Sequence, residues 1–339
     1  MGLQASIGPV TGASVLVTGG AGFVGAHVCR ALAGAGFVPV AYDDLSAGHR
    51  EFAKWGPFVR AKIEDAAALD AAIAAHGVVA CVHLAGSIEV GLSVREPVRF
   101  WQNNVSGTLV LLDRLRAAKV GAFVFSSTAA VYGEPETVPM AESHPKRPTN
   151  PYGETKLAVE AVLAAEARSR GLAWIAFRYF NAAGSAWADG IGEDHSPESH
   201  LIPLACQAAM GTRPPLTIFG DDYPTPDGTA LRDYIHVVDL GAAHVLGIRR
   251  ALAGRIGAPF NLGTGTGYSV RQVVDTVGRI AGRPVPHSFG ARRAGDSPAL
   301  VADPSSAMRE LGWQPKSSAL DTIVADAWAW HSRRHTPKA

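Results

Sequence analysis

The sequence predicts an α/β fold, a doubly wound parallel sheet followed by a smaller C-terminal α/β lobe, and three observations carry that prediction. Short apolar runs with strand character alternate with helix-patterned stretches through roughly the first 180 residues. The first of those runs leads straight into a glycine-rich turn and then a helix, which is the Rossmann-type arrangement. Beyond Asn181 the texture changes to loops, with 184–200 polar and glycine-bearing and 220–233 dense in Gly, Pro and Asp. Alternating strands and helices imply a parallel sheet covered on both faces, and such sheets take ligands beyond the carboxyl ends of their strands.

Taken in order, Ser14–Thr18 reads as a buried strand that runs into Gly19-Gly20-Ala21-Gly22-Phe23-Val24-Gly25 and an apolar-periodic helix to about Gly34. The early glycines permit a tight turn and close approach of a pyrophosphate, the last lets helix and strand pack, and the helix N-terminus offers N–H groups to an anion. A second strand, Val38–Tyr42, ends in Asp43-Asp44, 18 residues past Gly25. An acid there can hold the adenosine ribose hydroxyls and repel a 2′-phosphate, which favours NAD over NADP. The alternation continues with a strand at 58–59, a helix at 65–75, a strand at 78–84 ending in Ala85-Gly86, and one long helix at 98–118. A strand at 122–126, a helix at 152–170 stopped by Gly171, and a strand at 173–179 complete it. In the C-terminal part a strand near 259–262 and a helix near 270–281 stand out.

Composition narrows the function classes. Hydrophobic residues make up 47% and charged residues 18% of the chain, and 37 glycines punctuate it, as in a compact globular protein. A net charge of +1 without a basic block or an acidic tail argues against nucleic acid or a membrane surface as partner. No secretory leader and no membrane-length apolar run is visible, so a cytoplasmic location is expected. Cys29, Cys81 and Cys206 are scattered and odd in number, which suggests small core residues rather than disulfides or a zinc site, and no metal is expected. Asn104-Val105-Ser106 matches a glycosylation sequon by chance.

The chemistry-bearing stretch is Asn150-Pro151-Tyr152-Gly153-Glu154-Thr155-Lys156, which places a phenol and an ammonium four residues apart at the head of a helix, on one face. A phenol ionises near pH 10, so it serves as a base at neutral pH only where a cation close by favours the phenolate, and Lys156 is placed to be that cation. Ser126-Ser127-Thr128 at the end of the preceding strand adds a hydroxyl. Hydride chemistry at an alcohol needs a proton acceptor, a hydride-accepting cofactor and donors to the oxygen. Tyr152 as the base, NAD as the acceptor and Thr128 as the oxygen-positioning partner fit those roles, with Lys156 tuning Tyr152 and binding the nicotinamide ribose.

On these residues the chain resembles the extended short-chain dehydrogenase/reductases and, within them, the UDP-glucose 4-epimerase group. Further segments carrying the resemblance are Asn103-Asn104-Val105-x-Gly107-Thr108, Ser126-Ser127-Thr128-Ala129-Ala130-Val131-Tyr132-Gly133, Arg178-Tyr179-Phe180-Asn181, Tyr223-Pro224-Thr225-x-Asp227-Gly228-Thr229 and Arg232-Asp233-Tyr234-Ile235-His236-Val237, across roughly Val15 to Trp330. The resemblance implies an isomerase acting on a UDP-sugar with tightly held NAD: Tyr152 takes the 4-hydroxyl proton, a 4-keto sugar turns about its diphosphate, and hydride returns to the opposite face. It also implies a homodimer. Residues 1–182 with about 234–264 would bind NAD, and 183–233 with 265–339 the nucleotide sugar. NAD contacts are implied at Gly19, Gly22, Phe23, Val24, Gly25, Asp43, Asp44, Ile63, Leu84, Ala85, Gly86, Asn103, Ser126, Tyr152, Lys156 and Tyr179. Substrate contacts are implied at Thr128, Asn181, His200, Leu201, Thr217, Phe219, Arg232, Arg293 and Asp296, the two arginines on the diphosphate, Asp296 on the uridine ribose and Phe219 beside the uracil.

The chain departs from the family pattern in several places. Thr128 stands where serine is usual, His200 where asparagine is common, Ile88 where many members have a lysine and Lys62 where an aspartate is usual. Leu300 occupies a position associated with sugar size, which leaves UDP-N-acetylhexosamines and UDP-pentoses open as substrates. A 4,6-dehydratase would carry an Asp-Glu pair after Thr128, where this chain has Ala129-Ala130. A non-catalytic NAD-binding sensor would have no need of the Thr128, Tyr152 and Lys156 trio.

Overall fold

A computed structural model of the protein describes residues 12–254, 257–293 and 295–334. The chain divides into two compact units: the residues up to Ser126 with Thr155–Ala176 and Gly241–Pro259 form one, and Ser127–Glu154, Phe177–Leu240 and the residues from Phe260 onward form the other.

The strands of the first unit belong to a seven-stranded sheet. Its strands in chain order are β1 (Ser14–Thr18), β2 (Val38–Tyr42), β3 (Phe58–Val59), β4 (Val78–His83), β5 (Ala122–Ser126) and β6 (Ala173–Tyr179), with Pro259–Leu262 as a seventh. The spatial order is Pro259–Leu262, β6, β5, β4, β1, β2, β3. The pairs β1–β2, β1–β4, β2–β3 and β4–β5 are parallel, with Val17 opposite Ala41 on one side and Val82 on the other. The order of winding reverses between β1 and β4, and at such a switch point the loops leaving the two strands part to leave room for a ligand.

Side-chain alternation along β1 explains why both faces are covered. Leu16 joins Val40, Cys81, Phe123 and Phe125 in a core that also takes Leu69 and Ile73 of helix α2 (Ala66–His76). Cys81 is thus core, as its apolar setting in the sequence suggests. Val15 and Val17 point the other way and are equally buried. Helix α1 (Phe23–Gly34) packs against β1 and β2. The helix Val237–Leu252 lies so close to α1 that a Cβ at Gly241 would come within 3.0 Å of the His27 carbonyl.

The short helix α3 (Val90–Arg95) comes first, and the stretch expected as one helix over 98–118 is three consecutive helical pieces: α4 (Pro97–Phe100), a π-helical segment (Trp101–Ser106) and α5 (Gly107–Ala117). The wider π turn has an identifiable occupant. Asn104, 3% exposed, turns its amide inward. Its Oδ1 accepts from the Ser87 N–H (2.8 Å), and its Nδ2 donates to the Ser87 carbonyl (3.0 Å) and Thr155 Oγ1 (3.1 Å). The sequon asparagine is therefore consumed by internal bonds.

Helix α6 (Pro151–Arg170) begins where its sequence places a start. Asn150 Oδ1 accepts from the Gly153 N–H at 2.9 Å, Pro151 takes the first helical position, where its missing N–H is harmless, and Gly171, at φ +72°, ends the helix. Its first four residues belong to the second unit and the rest to the first.

In the second unit, helices α7 (Leu201–Met210), Val270–Ala281 and Leu320–Arg334 enclose a core of Ile202, Cys206, Val273, Val277, Ile323 and Val324. Ser269 and Gln272 form a capping box at the head of Val270–Ala281. Helix α7 escapes sequence reading because Leu-Ile-Pro-Leu-Ala-Cys is apolar on nearly every side and shows no 3.6-residue period. Strands Leu216–Phe219 and His287–Gly290 pair in parallel, and Leu231–Arg232 pairs with both Tyr268–Ser269 and Ala299–Leu300.

Replacing Asn104 by alanine strands the Ser87 N–H and carbonyl in the part-buried turn below the π segment. The expected cost is about 2 kcal/mol, in the range for buried polar groups left without partners. Urea denaturation of Asn104→Ala checks this, and a midpoint equal to wild type would mean water replaces the amide.

Candidate active site

In the first unit the glycine turn after β1 is held by contacts that only glycine allows. Gly19 has φ +71°, and a Cβ on Gly25 would lie 1.9 Å from the Gly19 carbonyl oxygen, so the first turn of α1 rests directly on the end of β1. The helix is capped by Gly22, in extended conformation and without a side chain to occupy the space. The first amides of α1, at Phe23, Val24 and Gly25, therefore form a helix N-terminus suited to an anion.

Asp43, at the end of β2, faces this turn. Its Oδ2 accepts from the Ala21 N–H (3.0 Å) and its Oδ1 from the Leu45 N–H (2.8 Å). Burial raises the Asp43 carboxyl above its ordinary value, and those two amide bonds pull the other way. Asp44 is turned aside, with Oδ1 bonded to the Ser46 N–H at 2.8 Å. Lys62 is exposed and contributes only its carbonyl, to the Tyr42 hydroxyl. Ile63 packs its side chain in the core, against Gly107. Ile88 is exposed.

The turn after β4 completes this half. Leu84, Ala85 and Gly86 are partly open, and a Cβ at Gly86 would meet Asn104 Oδ1 at 3.2 Å and Lys156 Nζ at 3.4 Å. Asn103 Nδ2 donates to Ser87 Oγ at 3.2 Å. Lys156, 2% exposed, donates to the Ser126 carbonyl at 3.0 Å and stands 4.9 Å from the Phe125 ring centroid. Burial pushes its ammonium down to about 8. Beneath the turn lies a group sequence reading missed: His83 bridges Thr18 Oγ1 (2.7 Å) and Thr108 Oγ1 (2.8 Å), tying β4 to β1 and α5. Burial lowers its pKa to about 3 and keeps the ring neutral.

In the second unit Thr128 caps a 3-10 turn, its Oγ1 accepting from the Ala130 N–H at 3.1 Å. Tyr152, half-buried, shares a side-chain hydrogen bond with Thr128. Burial raises the phenol's pKa and the Thr128 bond opposes that rise. Gly153 makes the pairing possible: a Cβ there would stand 2.6 Å from the Ala130 carbonyl, so a larger residue would push Tyr152 away from Thr128. Tyr179 is half-buried at the end of β6.

The expected nucleotide-sugar contacts fall into three groups within the second unit. Thr217 and Phe219 share the exposed face of one strand, and the Arg293 guanidinium lies 4.2 Å from the Phe219 ring centroid. Arg232 is ion-paired with Asp296 and also donates to the Leu231 carbonyl (2.7 Å) and the Ser297 carbonyl (2.9 Å). Asn181 Nδ2 donates to the Asp233 carbonyl at 2.8 Å. Asp233 is fully buried and accepts from Thr264, Gly265 and Ala302, which fixes the backbone beside Arg232. Leu300 is the register partner of Arg232.

His200 and Leu201 form the third group, at the head of α7, and here the structure brings together more than the sequence reading named. His200 Nδ1 is 2.8 Å from Glu193 Oε1 and 3.1 Å from Glu198 Oε1, and His195 Nδ1 is 3.4 Å from Glu193 Oε1. The spacing Glu-x-His-x-x-Glu-x-His was the available signal. Burial works to lower both imidazoles, but hydrogen bonds to the two carboxylates outweigh it and raise His195 to about 9 and His200 to about 10.

Comparison with known proteins gives these groups a context. The profile of the NAD dependent epimerase/dehydratase family matches residues 15–263. The chain belongs to this family. It is 49% identical over 322 residues to a UDP-glucose 4-epimerase of Rhizobium meliloti (strain 1021), covering 95% of this chain and 98% of that one. Among solved structures it is similar to a UDP-glucose 4-epimerase from Brucella ovis in complex with NAD, at TM-score 0.91 and 47% identity over 93% of this chain and 97% of that one. A UDP-glucose-4-epimerase from Stenotrophomonas maltophila with bound NAD and formylated UDP-arabinopyranose superposes with TM-score 0.92 at 38% identity, over 95% and 98% of the two chains.

NAD is the cofactor of this family member, and the first unit's residues fit it. The bare Gly22 cap suits a pyrophosphate and the Asp43 carboxylate a ribose. The open edge at Gly86 leaves room that any side chain would fill, next to Lys156. Asp43→Asn removes the charge that repels a 2′-phosphate and keeps the side-chain shape. NAD should bind about tenfold or more weaker, one lost charge-assisted bond being worth roughly 1.5–3 kcal/mol, while NADP binding improves. Isothermal titration with both dinucleotides checks it, and unchanged selectivity would place the ribose contact elsewhere.

Proposed function

We propose that the protein is a UDP-glucose 4-epimerase, interconverting UDP-glucose and UDP-galactose. The observation that carries this is the Thr128–Tyr152 hydrogen bond, with Lys156 one helical turn further along α6, in a chain so similar over nearly its whole length to proteins of that name. In this reading residues 1–182 with about 234–264 serve NAD, and 183–233 with 265–339 serve the nucleotide sugar.

Bound NAD supplies a hydride acceptor that is also the donor in return. Tyr152 Oη removes the proton of the sugar's 4-hydroxyl and gives it back, and Thr128 Oγ1 steadies the same oxygen by hydrogen bonding. Lys156 holds the nicotinamide ribose, and its ammonium favours the phenolate that burial disfavours. Arg232 and Arg293 grip the diphosphate, guanidinium forks being matched to phosphate oxygens. For the diphosphate to reach Arg232, Asp296 exchanges its ion pair for the uridine ribose. Phe219 flanks the uracil, and Asn181, Thr217, His200 and Leu201 complete the grip. Holding the nucleotide firmly and the sugar loosely lets the oxidised sugar present either face. Leu300, beside Arg232, sets sugar size, and the UDP-arabinopyranose in the Stenotrophomonas neighbour supports testing pentoses and N-acetylhexosamines as further substrates.

The same reading includes a homodimer and a cytoplasmic location. In the first unit Val94 and Val98 are 62% and 66% exposed, and Trp101 and Leu109 are exposed with them along α3, α4, the π-helical segment and α5. A second copy covering that strip would remove the apolar surface from water. Cys29, Cys81 and Cys206 are buried free thiols, as suits a reducing compartment. Sedimentation should give twice the chain mass for the wild type and the single mass for Val98→Glu/Leu109→Glu. A monomeric wild type would end the dimer reading.

Tyr152→Phe keeps the ring and removes the hydroxyl. Conversion of UDP-galactose, followed by chromatography, should fall about 100- to 10,000-fold, the usual worth of a general base, while NAD content stays at the wild-type level. Near-wild-type turnover by Tyr152→Phe would remove Tyr152 from the role, and a wild type inert toward UDP-galactose, UDP-N-acetylgalactosamine and UDP-arabinose alike would remove the epimerase reading.

A further inference from the structure

The Glu/His group at the end of strand Ile191–Gly192 and the head of α7 is held more firmly than a surface salt bridge. All four side chains come from one eight-residue stretch, and one donor atom from each lies within 4.8 Å of every other. Glu193 is 3% exposed, and its own carbonyl accepts from Trp330 Nε1 at 2.8 Å, which fixes the backbone that presents it. Gly192, before it, leaves no room for a Cβ against the Trp330 ring. Glu198 Oε1 accepts from the Ser199 and His200 N–H groups at 2.7 and 2.9 Å, so this carboxylate is oriented by the chain it belongs to.

We propose that Glu193, His195, Glu198 and His200 form a four-ligand site for a divalent transition-metal cation of the zinc class. Ligand atoms at about 2.0–2.2 Å from a tetrahedral centre stand roughly 3.3–3.6 Å apart. His195 Nδ1 is 3.4 Å from Glu193 Oε1 and 3.7 Å from Glu198 Oε2; His200 Nδ1 is 2.8 Å from Glu193 Oε1 and 3.1 Å from the other Glu198 oxygen, Oε1, so the His200 pairs need to open by a few tenths of an ångström and Glu198 to turn one oxygen to the ion. Two neutral imidazoles and two carboxylates around a dication sum to zero charge, which suits a largely buried place. Imidazole with carboxylate selects zinc-like ions over magnesium or calcium, which prefer oxygen alone. The ion would tie the strand Ile191–Gly192 to α7, with Nδ1 of His200 as ligand and Nε2 as the ring's outward donor.

The test uses the untagged full-length protein, stripped with chelator and titrated with Co²⁺, Zn²⁺, Mg²⁺ and Ca²⁺. One equivalent of Co²⁺ per chain should bind with the intense visible bands of a tetrahedral site, Zn²⁺ should bleach them, and Mg²⁺ and Ca²⁺ should have no effect. His195→Ala/His200→Ala should lose affinity beyond the roughly 10–100-fold that outer partners of a metal site are worth. A milder variant, His195→Asn, should retain the fold by circular dichroism and bind more weakly. Weak, octahedral Co²⁺ spectra from the wild type would show that the four side chains are a self-contained ion-pair network, and equal binding by wild type and double variant would place the metal elsewhere. Either result overturns the proposal.

Discussion

The contact on which the first unit depends is the seat of α1 on the end of β1. With 1.9 Å between the Gly19 oxygen and the position of a Cβ at Gly25, no other residue permits it. That seat aims the helix N-terminus out of the turn, leaves Gly22 as a cap without a side chain, and brings Ala21 within reach of Asp43. The neighbouring strand is locked to the same turn through His83, whose neutral ring joins Thr18 and Thr108. The turn after β1 is thus assembled mostly from backbone, and the few side chains beside it are held from behind by buried hydrogen bonds.

The second unit poses a different problem, because the residues proposed to meet the nucleotide sugar are side chains held by irregular chain. Two carboxylates, Asp233 fully buried and Asp227 partly buried, do much of that holding. Asp233 gathers Thr264, Gly265 and Ala302 around the strand that carries Arg232, and Asp227, bonded to Thr229 and Ser269, ties the preceding loop to the helix Val270–Ala281. Tyr152 is placed by exclusion as much as by attraction, since Gly153 lets the head of α6 close on the Ala130 carbonyl. The result is a phenol whose ionisation burial opposes and Thr128 aids.

Much of this was legible in the chain because it follows from local rules. The strand–glycine–helix start, the Asn150-Pro151 head of α6 and its Gly171 stop carry residue types that only a few backbone conformations accommodate. What stayed hidden depends on distant partners. The break of the 98–118 helix into α- and π-turns follows from where Ser87 and Thr155 place their hydrogen-bonding atoms, and nothing within the helix sequence states that. The pairing of Arg232 with Asp296, 64 residues on, and the clustering of Glu193 and Glu198 with two histidines likewise needed the folded backbone. Helix α7 was missed because uniform apolarity erases the period by which helices are read.

The central claim is that the protein oxidises and re-reduces one carbon of a nucleotide sugar with no net exchange of hydrogen. Its most direct test is to supply UDP-galactose carrying deuterium at C4 to the purified protein with no added cofactor, and to examine the product by mass spectrometry and proton NMR. The account predicts UDP-glucose with the deuterium still on C4 and none lost to water, because hydride leaves and returns to the same carbon while Tyr152 handles only the oxygen's proton. Product that has lost its label to solvent would contradict it.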